Sequence, residues 1–209
     1  MKTTPQLILA TAMVSLTSCE NPADKTKSAA VSDAVAVEAT APASSATTYT
    51  FAPESEILFV GSKITGSHNG GFKSFTGEFA ITDGALAGTG QTVTIDMKSI
   101  WSDNEKLTGH LKNEDFFNVE KYPQSTFELT SVSAGENNNY QVSGNLTLLE
   151  TTKNITFPAT VAINGDTADI HAKFDINRKD FGVVYAGMPD DLIRDEVVIE
   201  LKLKAVPKG

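Results

Sequence analysis

The chain has 209 residues, with 17 Lys and Arg against 26 Asp and Glu, a net charge of −9 and one cysteine, Cys19. The acidic balance argues against a nucleic-acid partner and against a polybasic membrane-binding surface. A single cysteine excludes an internal disulfide.

At the N-terminus Lys2 precedes an apolar run ending at Leu16, and the small residues Thr17 and Ser18 precede Cys19. A basic start, a short apolar stretch and small residues at a break make up a secretory signal. The run is about half of what a bilayer span needs at ~1.5 Å rise per residue, so residues 1–18 are expected to be removed rather than kept as a membrane helix. The sequence Leu16-Thr17-Ser18-Cys19 resembles the bacterial lipoprotein box. That resemblance implies a diacylglycerol thioether on Cys19 and attachment to a bacterial membrane. The expected place is the outer membrane, facing the periplasm or the cell surface.

Residues 19–47 are rich in Ala, Ser, Thr and Val, contain Pro22 and Pro42, and have no aromatic residue. Such a stretch buries too little apolar surface to offset its conformational entropy. It reads as a disordered tether, with the Ala-Val run over 29–39 compatible with a transient helix.

Residues 48–209 then form one domain on length alone. Its apolar residues alternate with polar ones over Val93–Met97, Tyr140–Leu148, Ile155–Val161, Ile170–Ile176 and Val197–Leu203. Period-two alternation gives a strand one apolar and one wet face. Asp83-Gly84, Gly88-Thr89-Gly90, Gly135–Asn139 and Asn164-Gly165-Asp166 punctuate these runs. Asn164-Gly165 is a hairpin signal, because both central residues of a type I′ turn need positive φ. The helical candidate lies in Glu105–Phe117, as one or two short helices. About eight short strands in this length predict a closed antiparallel barrel or a sandwich. An eight-stranded barrel has room inside for side chains or one slim ligand.

Four blocks together resemble the YceI-like, or polyisoprenoid-binding, family. They are Lys63–Gly77, with His68, Phe72 and Phe75; Ser99–Phe127, with Trp101, His110-Leu111, Asp115-Phe116-Phe117 and Lys121-Tyr122-Pro123; Tyr140–Leu148; and Ile176–Val183, with Arg178, Asp180 and Phe181. The resemblance implies a lipocalin-like antiparallel β-barrel holding a long apolar chain, such as a polyisoprenoid or a quinone tail, with no catalytic residue and no cofactor beyond that bound polyprenyl or quinone-type lipid. Two places depart from the family pattern: Leu107-Thr108-Gly109 stand before His110, and Leu149-Glu150 occupy a turn where many members carry glycine.

The expected ligand-binding residues are Phe59, Phe75, Phe79, Trp101, Leu111, Phe116, Phe117, Phe127, Phe174 and Phe181, with Phe116 and Phe117 at the mouth. Phenylalanine brings large apolar area and no polar group to satisfy. The same residues also suit a solid core, and the rival reading is an envelope stress or interaction protein with a filled barrel. His68, His110 and His171 have no second histidine or cysteine at metal-ligand spacing. No Gly-x-Ser-x-Gly elbow or phosphate loop occurs. Asp190, Asp191, Asp195 and Glu196 read as a solvated loop. Arg178 with Asp180 reads as a pair fixing a barrel corner. No metal, catalytic residue or nucleic-acid partner is expected, and oligomeric state is left open.

Overall fold

The computed structural model describes residues 20–37 and 45–209. The expected signal segment 1–18 and Cys19 lie outside the described residues.

In chain order the strands are β1 Lys27–Ser28, β2 Ala30–Asp33, β3 Thr47–Phe51, β4 Glu56–Lys63, β5 Gly66–Phe72, β6 Phe75–Thr82, β7 Ala85–Ala87, β8 Thr92–Asp96 and β9 Ile100–Ser102. After the helix α1, Glu105–Lys112, come β10 Gln124–Ala134, β11 Asn139–Leu148, β12 Thr151–Asn164, β13 Thr167–Asn177, β14 Gly187–Met188, β15 Asp191–Leu192 and β16 Glu196–Pro207. Strands β13, β12, β11, β10, β8, β6, β3 and β16 bond in that order, and β16 returns to β13. This closes the expected eight-stranded antiparallel barrel and leaves the ring without a free edge. Strand β4 runs beside β16 beyond β3, and β5 and β9 extend the wall at that end.

The alternation sets which side chains face inward. Ile155, Phe157, Ala159 and Val161 of β12 join Ala172, Phe174 and Ile176 of β13 in one buried cluster. Tyr49, Phe79, Ile81, Ala168 and Ala205 close one end. Ile100, Leu111, Phe116 and Val183 pack at the other. Only α1 is helical in the Glu105–Phe117 stretch; the Asn104 side chain caps it by accepting from Leu107 N at 3.1 Å. Met97 ends the alternation of β8 by entering a 3-10 turn, where it is buried.

The β12–β13 hairpin forms as expected, but its turn is shifted by one residue. Asn164 pairs with Thr167, so Gly165 and Asp166 are central, and Gly165 has φ 60°. Two consecutive positive φ values occur instead at Asp83-Gly84, 51° and 76°, and at Asn137-Asn138, 56° and 61°.

The disordered-tether expectation fails for the first part of 19–47. Residues Pro22–Lys25 form a 3-10 turn, β1 pairs parallel with β13, and β2 pairs antiparallel with β12. The Ala-Val run is extended there, not helical. The cause is tertiary. Strands β12 and β13 pair with each other only from Thr160↔His171 to Asn164↔Thr167. Pro158, which has no N–H to give, stands in the unpaired stretch of β12. The N-terminal strap takes the vacant backbone groups on both flanks, and Ala29 and Val31 pack against the Ile155–Phe174 cluster. Buried polar groups complete the fit. Asp175, 3% exposed, accepts from Thr26 Oγ1 at 2.8 Å and Ser28 Oγ at 2.9 Å. Asn145 bonds the Val35 backbone.

Candidate functional site

Inside the barrel is a cavity of about 450 Å³, within the range of small-molecule sites. The interior is therefore not filled, which removes the premise of the filled-barrel reading. Seven of the expected residues line it: Phe59, Phe79, Leu111, Phe116, Phe117, Phe127 and Phe174. They come from β4, β6, α1 and the turn after it, β10 and β13, which no single sequence window connects.

Phe75, Trp101 and Phe181 do not line this cavity. The Phe75 ring meets Phe51 edge-on at 5.7 Å. Trp101 borders a separate small pocket with Leu58, Gly70 and Val198. Phe181, 0% exposed, packs into the buried cluster with residues of β12 and β13 but does not reach the cavity. Its place in a 3-10 turn, Arg178–Phe181, turns it away from the strand alternation that carries Phe174 and Ile176. The alternation itself could have found wall residues left out of the expected set, such as Val142, Leu146, Ile155, Phe157, Ile199 and Leu201.

Glycine shapes the wall where the tips of rings press against backbone. A Cβ on Gly144 would stand 2.2 Å from Phe127 Cζ, and one on Gly70 would stand 2.3 Å from Phe59 Cζ. Both rings need a bare neighbour. Across the stretch where β12 and β13 part, Phe157 and Phe174 stack with centroids 4.2 Å apart and planes at 12°.

Few polar side chains reach the wall. Ser125 is satisfied by Thr147 O at 2.7 Å. Gln91 gives its Nε2 to Ala87 O at 3.2 Å, but its Oε1 is buried without a hydrogen-bond partner. Arg178, 5% exposed, donates from Nη1 to Val183 O at 2.6 Å and from Nε to Arg194 O at 3.0 Å, and its Nη2 reaches Asp195 at 3.3 Å. Its ion partner is thus Asp195 rather than the expected Asp180, which is exposed. Burial pushes the guanidinium pKa below its ordinary value, against the pull of Asp195.

The acidic loop is bonded rather than merely solvated. Asp191 accepts from Lys63 Nζ and from Thr65 N and Oγ1, and its carboxyl is held below the usual range, first by the Lys63 bond. Lys63, Val183 and Ile193 line the cavity at this end. The three histidines pair apart from one another: His68 with Asp103 at 2.8 Å, His110 with Asp115 at 2.8 Å and His171 with Glu200 at 3.2 Å. Among the described residues no three His, Cys, Asp or Glu side chains gather to hold a metal ion.

Residues 43–205 match the model of the YceI-like domain. The chain belongs to the YceI-like family. A UPF0312 protein of Pseudomonas putida is 29% identical to it over 138 residues, 63% of this chain and 72% of the relative. Protein YceI of Salmonella arizonae is 34% identical over 120 residues, 54% of this chain and 62% of the relative. Among solved structures, Burkholderia cenocepacia BcnA superposes with a TM-score of 0.65 at 28% identity, over 73% of this chain and 97% of its own. A polyisoprenoid binding domain from Saccharophagus degradans superposes with a TM-score of 0.63 at 18% identity, over 77% and 98%, which shows the shared fold. The YceI-like match begins at residue 43, so the strap formed by β1 and β2 precedes the matched residues.

Proposed function

We propose that this protein binds one long apolar chain, of the polyisoprenoid or quinone-tail class, in the barrel cavity and holds it for sequestration or transport outside the cytoplasm. The observation that carries this reading is the cavity of about 450 Å³ walled by aliphatic and phenylalanine side chains from strands around the barrel. A solved neighbour with the same fold is a polyisoprenoid binding domain. Each methylene moved from water into such a wall contributes about 0.8 kcal/mol, so a long chain binds tightly with few hydrogen bonds. The wall offers little that would discriminate one apolar chain from another; Gln91 Oε1 is an unbonded acceptor for a ligand hydroxyl.

The lipoprotein-box resemblance around Cys19 supports residence at a bacterial membrane. One acyl chain gives only marginal binding, whereas two or three hold a protein there stably. Native mass spectrometry of protein purified from cells should show a co-purifying polyprenyl or quinone-type lipid. Its repeated absence, together with no uptake of added polyprenol, would sink the reading. For the anchor, Cys19→Ala should release the protein from the membrane fraction or block its maturation.

A further inference from the structure

Ile64, Val184, Met188 and Leu192 are large apolar residues left 52%, 63%, 63% and 45% exposed. They belong to one end of the barrel. Ile64 N–H donates to Leu192 O at 3.2 Å, and Met188 pairs with Asp191 in the β14–β15 hairpin. Their chain neighbours Lys63, Val183 and Ile193 line the cavity. The same short segments therefore present one residue to the cavity mouth and the next to the outside. Scattered exposed apolar residues need no explanation, but a group rimming the mouth of an apolar cavity does.

The strap begins beside this end. Asn21 accepts from Ser62 Oγ at 3.3 Å, two residues from Ile64 along β4 and its turn. From there the chain is fixed by the Pro22–Lys25 turn, by β1 and β2, and by the Thr26, Ser28 and Val35 bonds to the barrel. Cys19 precedes Asn21 by two residues, a reach of at most about 7 Å. An acyl group on Cys19 would thus leave the protein beside the apolar rim, not at the end of a long tether.

We propose that this end of the barrel is a membrane-docking face. Ile64, Val184, Met188 and Leu192 enter the lipid surface, and the docked strap turns the cavity mouth toward the bilayer. This inference rests on the lipid-anchor reading of Cys19 and deepens it, because the anchor then orients the barrel as well as retaining it. A bound chain would pass between acyl layer and cavity without crossing water.

The test uses the full chain, acylated in cells and reconstituted on phosphatidylcholine vesicles with brominated acyl chains. In a Trp101→Phe background, a reporter tryptophan is placed by Leu192→Trp at the rim, or by Asp166→Trp at the turn of β12 and β13. The two sites are a strand length apart, roughly 30 Å. The bromines should quench the Leu192→Trp reporter and leave the Asp166→Trp reporter bright. Equal quenching at both, quenching only at Asp166→Trp, or none at either while the protein sediments with vesicles overturns the docking face and leaves the anchor standing. Protein without acyl mass on Cys19 that fails to sediment overturns the anchor, and the docking face with it. As a second measurement, Ile64→Ser, Met188→Ser and Leu192→Ser combined should slow polyprenol loading from vesicles at least about tenfold, the scale of one or two apolar side chains withdrawn from lipid. Loading from detergent should stay unchanged; equal slowing in both would count against the face.

Discussion

Asn145 holds Val35 by both edges of its side-chain amide, accepting from Val35 N at 3.0 Å and donating to Val35 O at 2.7 Å. The side chain acts as a strand partner for one residue of the strap. Asn154 Nδ2 supports it by donating to Asn145 Oδ1 at 3.1 Å. Asn145 is 7% exposed, so the bonds are made away from water, and an unmet partner there is costly.

Asn145→Ala should therefore cost about 1–3 kcal/mol, the usual range when buried polar groups lose a partner. The loss should fall on the strap before the barrel. Urea unfolding should report the change in stability, and amide exchange should rise over 28–35 while β10 and β11 keep their protection. Unchanged exchange over the strap would show that β1 and β2 hold it without Asn145.

Gly144 tests how the cavity is shaped. The Cβ of Gly144→Ala would meet the Phe127 ring at 2.2–2.7 Å, so the ring must move into the cavity or the strands must part. Overpacking of this kind costs about 1–3 kcal/mol. Native mass spectrometry should show lower lipid occupancy in the variant, and denaturation should show lower stability.

Leu149 has φ 54° in the two-residue turn joining β11 to β12, while its side chain packs on the cluster at the mouth. A non-glycine residue in this region costs about 1–2 kcal/mol. Leu149→Ala loses the contact and keeps the strain; Leu149→Gly loses the contact and removes the strain. Leu149→Gly should be more stable than Leu149→Ala by about 1 kcal/mol, the reverse of the usual order of these residues. Thermal or urea unfolding of the pair checks it.

The rim hairpin should be acid-sensitive through Asp191. Its folded pKa lies below the usual aspartate value, because Lys63 and Thr65 bond the charged carboxylate while burial opposes them more weakly. A depressed folded pKa contributes stability that is fully present above the unfolded value and is lost as pH falls through the folded one. The hairpin should thus stay docked from neutral pH down to the ordinary aspartate range and loosen only below it. Asp191→Asn should loosen it at neutral pH and flatten that acid response. Exchange of the Ile193 amide, which donates to Ala186 O at 3.0 Å, reads both effects.

Strand identity was legible because alternation is a local property. Val197, Ile199, Leu201 and Leu203 face the cavity as their phase requires, and His171, on the polar phase of β13, is exposed beside Glu200. Turn composition placed Asp83-Gly84 and the β12–β13 hairpin, with a one-residue error in the latter because a turn with a single positive φ accepts glycine at its first central position. Seven of the ten expected site residues meet around the cavity. Phe75, Trp101 and Phe181 have the same composition but different neighbours, and only packing separates core from cavity wall.

What the sequence by itself determined is the alternating phase of the strands, the turns between them and the family resemblance of the domain, all carried by residues near one another along the chain. Tertiary structure alone decided that the interior is hollow and that Arg178 pairs with Asp195. It also decided that residues 20–37 lie along the barrel. That stretch is too poor in apolar surface to fold alone. It is ordered because β12 and β13 part and leave backbone groups, Asp175 and Asn145 for it to satisfy, and those partners lie more than a hundred residues away.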